Sequence, residues 1–223
     1  MKRILLSLCL LCLCGFQAIA EDAPSGEKIA ECRKVAEKGD AKAQYNLGLC
    51  YYDGKGVPED VLEAIKWYRK AAKQEYAPAQ FKLGDCFLYG KGLAKDDPSE
   101  AVKWYRKAAE QGYAEAQYNL GYCYQWGKGV IKDMVEAAKW YRKAAEQGNL
   151  LAQYFLGMCH FTEYAKNDEQ KDLIEAYMWF KIAAATGEEH AEEMRKEAAR
   201  HMTPFQIEEA ERRARVWKLK KDA

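Results

Sequence analysis

Three stretches of the chain set a cysteine and a G-K-G triplet at a fixed distance: LGLCYYDGKGVPED from Leu47, LGDCFLYGKGLAKDD from Leu83 and LGYCYQWGKGVIKD from Leu120. Thiol chemistry, a thiolate metal site or a phosphate-cradling loop could each begin from such residues. A phosphate loop follows a buried strand and opens a helix whose amides aim at the anion. Here the triplets (Gly54 to Gly56, Gly90 to Gly92, Gly127 to Gly129) follow a helical pattern and stand several residues before the next helix start. The glycines therefore read as left-handed terminators of a helix. The cysteines Cys50, Cys86, Cys123 and Cys159 are 36, 37 and 36 residues apart. Equivalent positions in stacked helical hairpins lie on the order of 10 Å apart, beyond the roughly 7 Å between Cα atoms that a disulfide allows. The same separation forbids a shared zinc, whose sulfur ligands sit about 2.3 Å from the metal. These cysteines read as small buried hydrophobes, and no metal site is expected.

Other chemistry finds few residues to use. Beyond the first twenty positions the serines are Ser25 and Ser99. Ser25 to Lys28 fits S-x-x-K, but the S-D-N and K-T-G partners of that active site are absent. The histidines are His160, His190 and His201. The last two would be about 16 Å apart on one helix, too far to share a metal. All three read as solvated. The runs W-Y-R-K (Trp67 to Lys70, Trp104 to Lys107, Trp140 to Lys143) mix rings with basic groups as nucleic-acid binders do. At helical spacing, however, Trp67 and Tyr68 align with Ala64 and Ala71 as a core stripe, leaving Lys66, Arg69 and Lys70 to water. With a net charge of +1, nucleic acid is not an expected partner. No catalytic residue and no cofactor is expected.

The ends bound the rest. The 223 residues are 49% hydrophobic and 31% charged, the balance of a folded chain rather than a disordered one. The opening MKRILLSLCLLCLCGFQAIA joins a basic start (Lys2, Arg3) to a short apolar run and a small-x-small end at Ala18 and Ala20. That anatomy predicts a signal peptide over 1–20, cut after Ala20, and an exported product, periplasmic or secreted. The run is too short to span a bilayer, so no stable membrane insertion is expected. Neither Cys9 nor Cys14 follows the small residue a lipid-anchor site wants. Cleavage removes Cys9, Cys12 and Cys14 and leaves five cysteines, an odd count that excludes full internal pairing.

The chain aligns on itself at 41–76, 77–113, 114–149 and, with decay, 150–188. A period of 36 to 37 residues marks a solenoid, because one such unit cannot bury its apolar faces alone. Each unit reads as two helices. The first carries Ala43, Leu47, Cys50 and Tyr51, and the second Val61, Ala64, Trp67, Tyr68 and Ala71. The pairs Asp60 and Glu63, Asp97 and Glu100, Asp133 and Glu136, Asp172 and Glu175 predict capping boxes at the second-helix starts, with aspartate as cap. In the fourth unit, His160 to Gln170 carries no G-x-G.

The motif A-x-A-Q-Y-x-L-G, then G-x-G-V, an acidic cap and A-x-x-W-Y-x-x-A-A resembles the Sel-1-like repeat of exported bacterial proteins, a relative of the tetratricopeptide repeat. The resemblance implies an all-α, right-handed α-solenoid of helix-turn-helix repeats. A linker over 21–26 leads to a solenoid over 27–188, opened by a half repeat over 27–40 in which Arg33 and Lys34 match Arg69 and Lys70. This sets Cys32 opposite the helix of Cys50 and leaves one disulfide open, Cys32 to Cys50. Residues 189–223 form a helical cap: Thr203 and Pro204 start a helix, Met202 staples onto Ile207, and Ile207, Ala210, Ala214 and Trp217 close the stack.

The resemblance further implies that the first helices line a concave groove. Where neighbouring repeats pack alike, the positions free to differ face solvent or a partner. Two places after the core leucine the units read Leu49, Asp85, Tyr122 and Met158; five after, Tyr52, Leu88, Gln125 and Phe161; six after, Asp53, Tyr89, Trp126 and Thr162. The expected groove is lined by Tyr45, Leu49 and Tyr52; Phe81, Asp85 and Leu88; Tyr118, Tyr122, Gln125 and Trp126; and Tyr154, Met158 and Phe161. Exposed rings and methionines anchor protein interfaces, so the expected function is non-catalytic binding of a protein or peptide, within the cell envelope or beyond it. The alternative comes from cysteine-rich relatives described as penicillin-binding or penicillin-hydrolysing: a wall- or β-lactam-binding protein, weakly hydrolytic. Those relatives pair their cysteines within a repeat, whereas this chain has one per repeat.

Overall fold

The computed structural model of the protein describes residues 26–222. The expected signal peptide, its cleavage point and Ser25 lie outside them. Among the described residues there are eleven helices and no strand: α1 (Gly26–Glu37), α2 (Ala41–Asp53), α3 (Val61–Lys73), α4 (Ala77–Tyr89), α5 (Pro98–Glu110), α6 (Ala114–Trp126), α7 (Met134–Glu146), α8 (Leu150–Asn167), α9 (Gln170–Ala185), α10 (Ala191–Ala199) and α11 (Pro204–Asp222). The pairs α2 with α3, α4 with α5, α6 with α7 and α8 with α9 form hairpins, and each second helix also packs on the first helix of the next unit. The molecule is the expected all-α solenoid. The helix α1 stands in for a second helix ahead of the first unit: Arg33 donates to the Tyr51 hydroxyl at 2.5 Å, as Arg106 does to Tyr124 at 2.6 Å two registers on.

Loop glycines end the first helices as the sequence predicts. Gly54, Gly90 and Gly127 cap α2, α4 and α6 with φ of 68, 64 and 66°. The second glycine of the second and third triplets, Gly92 and Gly129, marks a close approach. A Cβ on Gly92 would lie 2.7 Å from Val61 Cγ1, at the start of the preceding unit's second helix, and Gly92 itself has φ +73°. Both glycines build the turn and the contact between units.

The capping boxes form only in half. Asp60, Asp97 and Asp133 accept from the amides of Glu63, Glu100 and Glu136 at 2.9, 3.0 and 3.0 Å. The glutamates do not reach back, because each aspartate's own amide already donates to a first-helix carbonyl: Tyr51, Phe87 or Tyr124. Instead they meet Lys66, Lys103 and Lys139 at 2.8, 2.8 and 2.9 Å. In the fourth unit Asp172 is no cap. Without the glycines α8 runs on to Asn167, Asp168 ends it at φ 54°, and Glu169 stands at the N-cap of α9. Asp172 lies a turn inside α9, and its Oδ1 accepts from His160 Nδ1 at 2.7 Å, since Nε2 of that ring accepts from Arg142.

The core repeats with the sequence. Leu47, Leu83, Leu120 and Leu156 are fully buried, as are Tyr68, Tyr105, Tyr141 and Phe180 on the second helices. The glycine after each leucine admits that ring: a Cβ on Gly121 would stand 2.8 Å from Tyr141. Cys86, Cys123 and Cys159 are buried free thiols, and burial pushes them up to about 11, 12 and 12. Cys32 and Cys50 pack against the cluster of Ile29, Ala36, Ala43, Leu47 and Trp67. In the W-Y-R-K runs the tryptophans turn inward and the lysine three places on covers the ring from outside, 3.7 Å away at Lys70 and Trp67.

Adjacent units are stitched by a buried glutamine. The side-chain amides of Gln44, Gln80, Gln117 and Gln153 donate to the carbonyls of Ala36, Ala72, Ala109 and Ala145 at 3.1, 3.3, 3.1 and 3.3 Å. Those carbonyls belong to the last turn of the preceding helix, and each also accepts a turn amide, from Gly39, Glu75, Gly112 or Gly148. In three units the glutamine's own oxygen accepts from Gln74, Gln111 or Gln147 at 2.8, 2.8 and 2.7 Å. The C-terminal cap holds two helices, not one. The helix α10 packs on α9, and α11 returns across α9. There Trp217 meets Trp179 edge-on at 5.8 Å, and Ala210 and Ala214 are buried. Thr203 and Gln206 make the reciprocal capping box that the repeats lack, Gln206 Oε1 accepting from the Thr203 amide at 2.7 Å and Thr203 Oγ1 from the Gln206 amide at 3.3 Å.

Candidate functional site

The first helices α2, α4, α6 and α8 present a row of half-buried rings. Tyr45 leans on the buried Tyr68 (5.9 Å between centroids) and on Tyr76 (5.5 Å). Phe81 leans likewise on Tyr105 and Tyr113 at 5.9 and 5.4 Å. Tyr118 lies 5.8 Å from Tyr141 and 6.0 Å from Phe155 of the next unit, and Tyr154 lies 6.0 Å from Phe180. The helical period places these rings one turn from Leu49, Asp85, Tyr122 and Met158, which are also half-buried. The row is anchored below by the core and open above.

Of the thirteen residues expected along this face, eleven are half-buried: Tyr45, Leu49, Tyr52, Phe81, Asp85, Tyr118, Tyr122, Gln125, Tyr154, Met158 and Phe161. Trp126 is 55% exposed. Leu88 departs from the expectation: at 8% exposure it packs with Ala101, Val102 and Tyr105 and belongs to the core. Position alone did not separate it from Tyr52 and Gln125, which stay half-buried. The structure adds Tyr76, Tyr113 and Tyr89 to the face. Tyr76 and Tyr113 recur at the ends of their repeats, and Tyr89, 71% exposed, is the second-unit counterpart of Trp126.

The electrostatics of this face are acidic at its centre. Burial, then Tyr76, Asp85, Glu115 and Asp53, push the Tyr45 hydroxyl up to about 12. Burial, then Asp85 and its hydrogen bond, raise Tyr105 well above the usual phenol. Asp85 itself is raised by burial, against the Tyr105 hydrogen bond and Lys82. Its Oδ1 accepts from the Tyr105 hydroxyl at 2.8 Å and from the Asn119 amide at 3.2 Å. One unit on, Tyr141 donates to Gln125 at 2.6 Å.

The opposite face, made by the second helices, is of mixed charge, with Glu136, Glu146 and Glu163 beside Lys139, Arg142 and Lys143. Between α7 and α9 it holds a cleft of about 540 Å³ lined by Lys139, Trp140, Arg142, Lys143, His160 and Asp172, among others. His160, expected to be solvated, is a bridge instead: its Nε2 lies 2.9 Å from Arg142 and its Nδ1 2.7 Å from Asp172. It occupies the position that holds Tyr51 and Tyr124, the partners of Arg33 and Arg106, and so inherits their link to the preceding unit. His190 and His201 are exposed, as expected.

Among the described residues no group of three or more His, Cys, Asp or Glu could hold a metal ion, and no helix is long and apolar enough to cross a membrane. The Sel1 repeat matches the chain over 41–76, 77–113, 114–149 and 150–187. Among solved structures, a Sel1 repeat protein from Oxalobacter formigenes is 37% identical, with a TM-score of 0.65, over 74% of this chain and 67% of its own. The protein c5321, a protective antigen of uropathogenic Escherichia coli strains displaying an SLR fold, is 29% identical with a TM-score of 0.54. That match covers 86% of this chain, which spans about half, 48%, of c5321. No curated protein matches the sequence.

Proposed function

The chain belongs to the Sel1 repeat family, whose members are generally protein-interaction scaffolds, and we propose that it binds a protein or peptide partner along the face of α2, α4, α6 and α8 without catalysis of its own. The observation that carries this reading is the row of rings packed beneath and open above, beside positions that differ from unit to unit. Rigid aromatic residues bury much area at little entropic cost, which suits them as interface anchors. A solenoid holds them on helices rather than loops, so the surface is largely formed before a partner arrives. We place the mature protein outside the cytoplasm, on the basic-apolar-small order of residues 1–20.

Affinity capture from the producing cells tests the reading. The unaltered protein is compared with a variant carrying Leu49→Glu, Tyr122→Glu and Met158→Glu, after circular dichroism shows both helical. A partner held by the first and lost by the second supports it. Equal capture by both moves the function off this face. Sequencing the mature N-terminus tests the location: export predicts a chain that begins at Glu21.

A further inference from the structure

The position two places after the core leucine shows what the stack itself requires. It reads Leu49, Asp85, Tyr122 and Met158, so no carboxylate is needed there for packing. The first unit makes the point sharper. Leu49 packs in the cluster of Tyr68, whose buried hydroxyl has no hydrogen-bond partner among the described residues, and the unit closes all the same. Asp85 is therefore an addition to the face.

Its two oxygens differ. Oδ1 is held by Tyr105 and Asn119. Oδ2 makes no hydrogen bond among the described residues and is ion-paired only loosely with Lys82, whose Nζ stands 3.9 Å away. The side chain keeps 20% of its surface open. Oδ2 thus has a loose ionic partner but no hydrogen-bond donor, and a partly buried carboxylate gains from a charge-assisted hydrogen bond at its open oxygen. Rings stand on the same side: Tyr89 follows Asp85 by one turn and is largely exposed, and the next first helix offers Tyr122 against the exposed Trp126 at 6.4 Å. Such rings attract cations to their faces. The chain already uses this chemistry nearby, with Lys91 Nζ 3.7 Å over the Tyr52 ring and Lys82 Nζ 5.6 Å from that of Phe81.

We propose that the segment bound across α4 and α6 is a polypeptide presenting a basic side chain, arginine in preference to lysine, whose charged end meets Asp85 Oδ2 and whose stem lies over Tyr89, Tyr122 and Trp126. Arginine is preferred because its planar guanidinium both stacks on rings and donates to a carboxylate. This rests on the reading of the first-helix face as the binding surface and names the partner's chemistry there.

A random peptide library displayed on phage is selected on three proteins: the unaltered chain, Asp85→Asn, and the triple variant Leu49→Glu, Tyr122→Glu and Met158→Glu. Asparagine keeps an oxygen for Tyr105 and Asn119 to hold, and circular dichroism checks each fold. Peptides selected on the unaltered chain are expected to share an arginine or lysine. Exchanging that arginine for neutral citrulline, or the lysine for glutamine, weakens binding about tenfold or more on the unaltered chain and less than about threefold on Asp85→Asn. Selected peptides that lack a basic residue, or lose equally on both proteins, overturn the proposal while their loss on the triple variant keeps the binding face intact. Failure to select any peptide, or selection of the same peptides on the triple variant, overturns the binding face and the proposal together.

Discussion

Gln117 is buried at 4% exposure, yet its amide and its oxygen are both used: one end takes the Ala109 carbonyl and the other the Gln147 amide. Replacing it with leucine keeps the volume and removes both hydrogen bonds, while the Ala109 carbonyl keeps the Gly112 amide; at about 0.5–1.5 kcal/mol each, Gln117→Leu is expected to cost about 1–3 kcal/mol in a denaturant melt. The glutamine sits in plain view in every A-x-A-Q, but its role depends on a carbonyl eight residues back across a turn, which periodicity does not reveal. The cysteines were more legible: equal spacing placed them at one position, which is buried at Cys86, Cys123 and Cys159 and half-buried at Cys50 in the first unit. Their burial predicts an alkaline weakness. Cys86, Cys123 and Cys159 hold their protons to about 11, 12 and 12, and Tyr45 and Tyr118 to about 12. In the unfolded chain thiols ionise from about 8.5 and phenols from about 10, so the folded state binds more protons above those values. Stability is full below about pH 8.5 and falls as pH rises from there toward 12. A urea midpoint that did not drop between pH 8 and pH 11 would contradict the burial. Alkylation at neutral pH should spare these three thiols until urea is added. The same intact-mass experiment, unreduced, decides the Cys32 to Cys50 bridge: five alkylated thiols in urea exclude it.

At the level of elements, the fold follows from local punctuation. Three aspartates start the second helices, and their loss is expressed locally: Asp133→Ala removes the acceptor of the Glu136 amide and is expected to cost about 0.5–2 kcal/mol. Asp172→Ala should behave differently. It leaves the N-cap of α9 untouched and instead removes the contact to His160 that joins α8 to α9. The sequence placed Asp172 as a fourth cap because its spacing to Glu175 matches, but spacing could not show that the loss of two glycines lets α8 extend and shifts the start of α9. The cap is a second case. Its stripe of Ile207, Ala210, Ala214 and Trp217 was readable, whereas the break between α10 and α11 was not, since no repeat precedent covers it. Truncation after Met202 uncovers Trp179 and Ala198's cluster, and the shortened chain is expected to melt lower and to associate through the bared face.

For the whole molecule, a net charge of +1 goes with two differently built faces. Lysines and arginines alternate with glutamates along the second helices, while Asp53, Asp85 and Glu115 act on the tyrosines of the first. The solenoid and most of the ring-bearing face were legible from repeat against repeat. The depth of Leu88 and the network at Asp85 were not, because both arise from contacts between units rather than within one. Site-specific photocrosslinking in the producing cells tests whether partners meet the face of the first helices, with benzoylphenylalanine placed at Tyr122 on α6 in one strain and at Val135, 66% exposed on α7, in another. Light-dependent adducts to a protein are expected from position 122 and none from position 135. Adducts from 135, with none from 122, would put the binding surface on the opposite side and contradict that expectation.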